Sequence, residues 1–297
     1  MNTPDMGATD PQASDGQALD RIVADRALHD FIADRRQLFV LTGAGISTES
    51  GIPDYRDATG AWKRPPPISY QAFVGDATAR QRYWARSMVG WRRFGSARPS
   101  RSHYALAALE AQGRISLLLT QNVDGLHQQA GQREVIDLHG RLDRVRCLGC
   151  DALTERAALQ SELVARNPAW ADAQAAEAPD GDADLEAADF SAFQVPACLH
   201  CGGVLKPDVV FFGENVPAAR VARANALLAQ SEAMLVLGSS LMVFSGYRFV
   251  LAAARRGLPV AAVNLGHTRA DALLTLKIER GCGEVWRAPP QTSAFVG

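Results

Sequence analysis

The sequence predicts an α/β fold built on a parallel sheet, with a smaller metal-binding module inserted into it. Three observations support this prediction. Short apolar runs typical of buried strands alternate with segments whose apolar residues have helical spacing. Each of these runs leads into Gly, Ser, Asn, Asp or His, and ligands of open parallel sheets bind at the carboxyl ends of strands. Two C-x-x-C pairs lie in a central segment of different composition.

Composition limits the class of protein. The chain has 297 residues, of which 47% are hydrophobic, so it can form one large domain or two modest ones. A net charge of −1 argues against a general nucleic-acid binder or anionic-membrane binder. The sequence has no apolar run long enough to span a membrane and no secretion-signal pattern, so we expect a cytoplasmic protein. Arginine greatly outnumbers lysine, which indicates a GC-rich, bacterial genome.

The N-terminal part is acidic and leads into the first strand. Residues 1–17 are predicted to form a disordered leader. The spacing of apolar residues predicts a helix over 18–36, and the apolar run at 37–42 predicts a buried strand.

A glycine-rich turn after this strand suggests a site for a nucleotide phosphate. Gly43, Ala44 and Gly45 allow the backbone to turn tightly and to approach a phosphate closely. Ser47 or Thr48 is expected to cap a following helix, whose N-terminus would favour an anion. Thr48 stands where the dinucleotide fingerprint has its third glycine, so the turn alone is weak evidence.

The loop that follows the turn is more specific. It carries an acid, a phenol and a guanidinium at Asp54, Tyr55 and Arg56, and we expect it to cover a bound nucleotide. Residues 58–100 are predicted to be irregular and aromatic-rich, because the prolines at 65–67 exclude a helix there.

The rest of the sheet is predicted from the same patterns. Strands are predicted over 115–120, 134–138, 234–237 and 259–263, and helices over 102–112, 246–256 and 270–278. The polar residues that follow the strands include Gln121, Asn122, Asp124, His139, Ser239, Ser240 and Asn264. We expect these side chains to meet at one edge of the sheet.

The segment 141–212 is predicted to be a zinc-binding module. Its ligands are the thiolates of Cys147, Cys150, Cys198 and Cys201. Two such pairs suit tetrahedral zinc, and four thiolates leave no position for a catalytic water, so the zinc is structural. A redox C-x-x-C is the alternative, but it explains two pairs poorly. Between the pairs, residues 171–189 are rich in Ala, Asp and Glu and are predicted to form a flexible insert.

Together these strings resemble the sirtuins, which are NAD-dependent protein deacylases. The resemblance runs from about Phe39 to Cys282. The matching strings are Gly43–Ser47, Ser50–Arg56, Thr120–Asp124, Leu138–Gly140, the four cysteines, Lys206–Glu214, Gly238–Ser240, Ser245–Phe249 and Asn264–Gly266. Tyr55 and the string Ser245–Phe249 resemble the class II branch, which is similar to the mitochondrial sirtuin four.

The resemblance implies a fold and a reaction. NAD would lie on a Rossmann-like parallel sheet domain formed by residues 18–140 and 213–290, with the zinc-binding module as the other wall of a cleft. An acyl-lysine of a protein substrate would enter the cleft. Its acyl group would pass to ADP-ribose, with release of nicotinamide. The net charge argues against direct binding of nucleic acid or membrane, and the oligomeric state is left open.

Residue roles also follow from the resemblance. His139 would be the base that activates a ribose hydroxyl, and Asn122 would act in the earlier release of nicotinamide. The residues predicted to contact NAD are Gly43, Ala44, Gly45, Asp54, Tyr55, Arg56, Gln121, Asn122, Asp124, Gly238, Ser239, Ser240, Asn264, Leu265, Gly266 and Cys282. For Cys282 the predicted contact is made by the backbone, beside the adenine.

Two other functions stay open at this point. Mono-ADP-ribosyl transfer to a protein would use the same NAD site and the same residues. A non-catalytic zinc ribbon that binds nucleic acid or protein is a weaker alternative, because the charge is neutral and the strand ends are polar. The preferred acyl group is also open. The tyrosine and arginine by which desuccinylases bind acidic acyl groups are not evident, since the corresponding stretch is Trp62-Lys63-Arg64.

Overall fold

The structure is a computed structural model that describes residues 11–63, 67–171, 173 and 189–286. The first ten residues of the predicted leader, most of the predicted insert at 171–189 and residues 287–290 lie outside the described residues. Residues 11–17, predicted to be disordered, are helical, because the first helix begins at Pro11.

Eight helices and nine strands are assigned in the described part of the chain. The helices are α1 (Pro11–Ala33), α2 (Tyr70–Gly75), α3 (Ala77–Phe94), α4 (Arg101–Ala111), α5 (Leu126–Gln129), α6 (Arg156–Arg166), α7 (Ala218–Leu228) and α8 (Phe244–Arg255). The strands are β1 (Leu38–Thr42), β2 (Ile115–Thr120), β3 (Val135–Asp137), β4 (Gly140–Cys147), β5 (Leu153–Glu155), β6 (Leu205–Val209), β7 (Ala233–Leu237), β8 (Val260–Val263) and β9 (Leu276–Ile278).

Six strands form one parallel sheet in the order β3-β2-β1-β7-β8-β9. This is the strand order of doubly wound dinucleotide-binding sheets, and the direction of winding reverses between β1 and β7. The prediction of an α/β fold with a parallel sheet is therefore confirmed. No helix in the described part of the chain combines the length and the apolar character that a bilayer crossing requires.

The two faces of this sheet carry separate cores, as the alternation of side chains along a strand requires. In β1, Leu38 and Val40 join a core that includes residues of α1 and α4. Phe39 and Leu41 join the opposite core, which includes residues of α7 and α8. All five residues of β1 are buried, so the strand is covered on both faces. The site at its carboxyl end therefore rests on a rigid support.

The smaller unit contains more of the chain than the sequence predicted. It has an antiparallel sheet in the order β5-β4-β6 and the helix α6. Its core also contains Phe73, Tyr83 and Trp84, which belong to α2 and α3. Residues 70–94 therefore pack with the cysteine-containing segment, although they precede residue 140 in the chain.

Two predictions of secondary structure are wrong. Residues 58–100 are not irregular throughout, because α2 and α3 occupy much of this range; prolines act only locally, and the aromatic residues form the buried face of α3. The missed signals are two helix caps, Ser69 and Asp76, whose side chains accept hydrogen bonds from the first turns. The helix predicted over 270–278 is instead a short 3₁₀ turn followed by β9, which pairs with β8 at the edge of the sheet.

Candidate active site

The loops after β1 and β7 are packed tightly against each other where the winding of the sheet reverses. A Cβ atom on Gly43 would lie 2.8 Å from the carbonyl oxygen of Gly238, and one on Gly45 would lie 2.9 Å from the Cα of Gly238. The amide of Gly43 donates to the Leu237 carbonyl at 3.1 Å, and that of Gly45 donates to the Gly238 carbonyl at 2.9 Å. These glycines are therefore required by loop packing, and their contact with a phosphate stays a prediction.

The helix expected after this turn is absent. Two short 3₁₀ turns follow instead, at Ala44–Ile46 and Thr48–Ser50, and neither has a side-chain cap. The hydroxyl of Ser47 is used elsewhere, since it donates to Asp124 Oδ2 at 2.7 Å. An α-helix N-terminus therefore does not supply the positive potential that the sequence predicted here.

A polar network connects the loop after β2 to the glycine turn. Asn122 Nδ2 donates to the Gly43 carbonyl and to Ser47 Oγ, both at 3.1 Å. Asp124 accepts from Ser47 and from the amide of Leu126, which lies 2.9 Å from Oδ1. Burial raises the pKa of Asp124 despite these hydrogen bonds. Asn122 and Asp124 thus lie together beside the turn, as expected for polar residues at the carboxyl ends of parallel strands.

The loop after β2 also reaches β7 and α8. Gln121 Nε2 donates to Ser239 Oγ at 2.7 Å. A side chain at position 246 would overlap the amide oxygen of Gln121, so Gly246 leaves space for this contact. Ser239 Oγ also accepts from the amide of Leu241 at 3.2 Å. The carboxyl ends of β1, β2 and β7 therefore form one continuous polar surface.

His139 lies at this surface with both ring nitrogens engaged. Its Nδ1 is 2.8 Å from the Gln121 carbonyl oxygen, and its Nε2 is 2.8 Å from Ser245 Oγ. A carbonyl oxygen only accepts, so these bonds assign the proton of the neutral ring to Nδ1. Nε2 then accepts from the Ser245 hydroxyl and carries the basic lone pair.

The electrostatics of His139 favour the neutral ring. Burial lowers its pKa, the hydrogen bond to Gln121 opposes this, and the positive charge of Arg220 lowers the pKa further. At neutral pH the ring is therefore able to accept a proton at Nε2. The sequence identified His139 but assigned no role to Ser245 or Arg220. For Ser245 the only signal was its place in a matched string, and the structure shows it in the first turn of α8.

The loop predicted to cover the nucleotide is held by several separate contacts. The guanidinium of Arg56 lies 4.0 Å from the centre of the Trp62 ring and donates to the Gly60 carbonyl at 2.7 Å. Asp54 forms an ion pair with Lys63, and the ring of Tyr55 meets Trp62 edge-on at 6.1 Å. Asp54 and Arg56 therefore order this loop through different partners, and their contact with NAD stays a prediction.

The tip of this loop rests on the turn after β8. The amide of His267 donates to the Ala58 carbonyl at 2.9 Å, and a side chain at Gly266, which has φ of +76°, would overlap that carbonyl. Asn264 in the same turn is buried, with 8% of its surface exposed, and its Nδ2 donates to the Leu265 carbonyl at 2.8 Å. The turn and the loop therefore form one packed unit beside the sheet.

Cys282 lies under this region. Its side chain is buried, and its Sγ is 3.8 Å from the Val263 carbonyl oxygen. Burial raises the pKa of the thiol to about 12, so the thiol is protonated and unreactive at neutral pH. This agrees with a role for the backbone, and not for the thiol, at this position.

The four cysteines of the smaller unit form a cluster suited to one metal ion. Their sulfur atoms all lie within 4.8 Å of one another, with 3.4 Å between Cys147 and Cys201 and 3.8 Å between Cys150 and Cys198. Four sulfurs about 2.3 Å from a tetrahedral zinc would be about 3.8 Å apart. A Cβ at Gly203 would lie 3.0 Å from Cys147 Sγ, so glycine leaves room for the thiolates.

The cluster is distant from His139. Strand β4 begins at Gly140, next to His139, and ends at Cys147 after eight residues. A strand of that length spans roughly 25 Å, so the metal cannot contact a substrate atom at His139. Cys147 and Cys198 belong to the core of the smaller unit, which fits a structural role.

Comparisons with known proteins place these features in context. The model of the Sir2 family matches residues 43–245. NAD-dependent protein deacetylase 2 of Bradyrhizobium diazoefficiens is 64% identical over 260 residues, which are 88% of this chain and 95% of the relative. An NAD-dependent protein deacetylase of Xanthomonas campestris pv. campestris is 64% identical over 258 residues, which are 87% of this chain and 88% of the relative.

Solved structures show the same fold at lower identity. A structure described as Sir2 with a p53 peptide and NAD+ is 32% identical, with a TM-score of 0.68, and the match covers 87% of this chain and 93% of that chain. A structure of Sir2Tm bound to a propionylated peptide is 30% identical, with a TM-score of 0.67 and coverage of 87% and 94%.

Proposed function

This chain belongs to the Sir2 family and is an NAD-dependent protein deacetylase of that family, and from that premise we propose that His139 is its catalytic base. One observation supports this role above all others. The hydrogen bond from Nδ1 to the Gln121 carbonyl leaves the basic lone pair on Nε2, at the polar surface where β1, β2 and β7 end. A buried, neutral imidazole in that position suits the removal of a proton from a ribose hydroxyl.

The residues at the strand ends fit the cofactor. NAD, when bound, supplies the ribose that accepts the acyl group, with release of nicotinamide. Gln121 orients the ring of His139 through its carbonyl and contacts Ser239 through its amide. Asn122 and Asp124 both contact Ser47 in the glycine turn, and their remaining polar atoms are the proposed contacts of the ribose and the nicotinamide. His139 Nε2 accepts the proton once the hydroxyl of Ser245 gives way to a hydroxyl of the substrate.

The four-cysteine cluster fits a structural zinc ion, as the sequence predicted. Four thiolates complete a tetrahedral site, so the metal stabilises the smaller unit without taking part in the reaction. Acyl-lysine proteins are the proposed substrates, because family structures carry p53 or propionylated peptides. The cytoplasmic location and the absence of nucleic-acid binding stay predictions from the sequence.

The class II branch is part of the proposal. It rests on the resemblance of Tyr55 and the string Ser245–Phe249 to that branch. Within this string, Ser245 contacts His139 and Gly246 leaves space for the Gln121 amide. The preference for a particular acyl group needs a panel of acyl-peptides.

The test separates the first step of the reaction, the release of nicotinamide, from the later step in which a base activates a ribose hydroxyl. His139→Ala should lower net deacylation by on the order of 10²–10⁴-fold, the usual contribution of a general base. It should retain more of the exchange of labelled nicotinamide into NAD, which needs only the first step. Asn122→Ala should lower the exchange itself. His29→Ala, at a histidine whose side chain is 82% exposed, is the matched control and should change neither activity.

Zinc content and circular dichroism establish that each variant is folded. Near-normal deacylation and exchange in His139→Ala would place the base elsewhere. Mono-ADP-ribosyl transfer, the alternative from the sequence, is tested with NAD labelled in the adenine. Stable label on a protein acceptor without acyl-lysine would favour the transferase, whereas label recovered as O-acyl-ADP-ribose supports the deacylase.

A further inference from the structure

A cavity of about 330 Å³ lies outside the predicted cofactor contacts. It is formed by β3, by the start of β4 and by the first turns of α7, with Asp208 of β6 on its wall. Arginines make up four of its ten lining residues, namely Arg141, Arg144, Arg220 and Arg223. None of these four arginines was assigned a role from the sequence.

Two of the arginines are already paired with acids. Arg141 forms an ion pair with Asp143, and Arg223 is 3.0 Å from a carboxylate oxygen of Glu134. The guanidinium groups of Arg144 and Arg220 form no hydrogen bond or ion pair with another residue in the described part of the chain. Arg220 is half-buried, so its guanidinium is partly desolvated.

The two aspartates that line the cavity are engaged by other groups. Asp208 accepts a hydrogen bond from Arg146 at 2.9 Å. Asp137 accepts from Gln128 Nε2 at 2.9 and 3.0 Å, and burial raises its pKa. The charge of Arg144 acts on Asp137 and lowers its pKa, whereas no ion pair to Arg220 is found in the described part of the chain. Four arginines against two aspartates line the cavity, and this excess of positive charge favours an anionic occupant.

We propose that this cavity binds an oxyanion of the phosphate class, and that the bound anion acts on His139 through Arg220. Guanidinium groups bind phosphate oxygens with two parallel hydrogen bonds, which a chloride ion cannot reproduce. Ala219 also lines the cavity, in the first turn of an eleven-residue helix, where the helix dipole favours negative charge. The volume is that of a small-molecule site, so a diphosphate group or a phosphate ester fits better than a single small ion.

The coupling to His139 follows from its surroundings. The loop after β2 presents the Gln121 carbonyl, α8 presents the Ser245 hydroxyl, and α7 presents the Arg220 guanidinium. On its own segment, Asp137 and Arg141 lie two residues away on either side. Gly140, the next residue in the chain, is itself part of the cavity wall.

The sign of the effect is set by Arg220. Its positive charge lowers the pKa of His139, so an anion that neutralises this charge raises the pKa. The base then becomes protonated at a higher pH, and the acidic limb of the activity profile moves upward. This second half of the proposal rests on the proposed function of His139, whereas the binding half does not.

Binding is tested on the zinc-loaded, full-length protein by calorimetry with inorganic pyrophosphate. Saturating NAD fills the phosphate-binding part of the cofactor site, and sodium chloride keeps the ionic strength constant. We expect saturable binding that weakens at least tenfold in the double variant Arg144→Gln, Arg220→Gln. Arg166→Gln is the matched control, because this arginine lies outside the cavity and pairs with Glu162 on α6. Absence of saturable binding, or equal binding by the double variant, would overturn the site.

Coupling is tested by the pH profile of kcat/KM for deacylation, with and without pyrophosphate. One neighbouring charge in a medium between protein and water shifts a pKa by roughly half a unit. In the wild type, we expect pyrophosphate to raise the acidic midpoint by that amount. In Arg220→Gln, the midpoint should already be raised without pyrophosphate, and adding pyrophosphate should not change it further. Binding of pyrophosphate without a shift of the acidic midpoint would overturn the proposed coupling to His139 but would still support the binding site. An inactive wild type would overturn the proposed function, while calorimetry would still decide the site.

Discussion

Replacing His103 by glutamine should remove much of the acid sensitivity of this protein. His103 lies in the first turn of α4 and is fully buried. Its Nδ1 accepts from the amide of Ser100 at 3.0 Å, which makes it the third helical residue of a capping box. Its ring centre is 4.6 Å from that of His127, whose Nε2 is 2.9 Å from Thr42 Oγ1 at the end of β1.

The magnitude follows from the burial of this ring. Burial lowers the pKa of His103 from 6.5 to about 4. Because the folded state disfavours the charged ring, this contribution to stability is complete above pH 6.5 and declines as the pH falls toward 4. The difference of the two values corresponds to ~3 kcal/mol of unfolding free energy. Burial and the nearby His103 also lower the pKa of His127. Protonation of His127 at acidic pH therefore also destabilises the folded state.

The assay is urea unfolding at a series of pH values from 7.5 to about 4. Glutamine preserves the acceptor at this position of a capping box but does not titrate. The wild type should therefore lose ~3 kcal/mol more stability over this range than His103→Gln. His29→Gln, at an exposed histidine, should follow the wild type. Contributions common to all three proteins, including acid release of zinc, cancel in the comparison. Parallel stability curves for wild type and His103→Gln would refute the reasoning.

Three further predictions concern the metal, the glycine loops and the loop over the cofactor. Metal analysis should find one zinc per chain, and chelation or Cys201→Ser should destabilise the smaller unit by several kcal/mol in thermal unfolding; folded protein without zinc would contradict this. Gly238→Ala, at φ of +62° and with its new Cβ 2.6 Å from the Gly45 carbonyl carbon, should destabilise the fold and weaken NAD binding. Gly113→Ala, at φ of +72° with no atom within 4 Å, should show only the smaller backbone penalty, and equal losses would exclude the packing argument. Hydrogen exchange of residues 51–63 should slow with saturating NAD, and unchanged exchange would argue against a covering loop.

Much of the fold is predictable from short stretches of sequence. The apolar runs of β1, β2, β7 and β8 predict buried strands within one or two residues of their observed bounds, because burial and backbone pairing act on consecutive residues. The prediction failed where a pattern was read too widely or was ambiguous. The prolines at 65–67 say nothing about α3, which begins at Ala77 after its own cap. The apolar residues of β9 form a strand because they pair with β8, and no local sequence pattern shows this pairing.

The sequence by itself determined which chemistry is available. It supplied four cysteines with ligand spacing, a glycine turn after the first strand and polar residues at the strand ends, because these are properties of nearby residues. Only the tertiary structure decided which partners these residues have, and therefore their hydrogen bonds and protonation. The hydrogen bond between His139 and Ser245 joins residues 106 positions apart, and the bond between Gln121 and Ser239 joins residues 118 positions apart. The protonated nitrogen of His139, its lowered pKa and the arginine-lined cavity beside it depend on such partners. Folding alone brings these groups together, because hydrogen bonds and charges act through space and not along the chain.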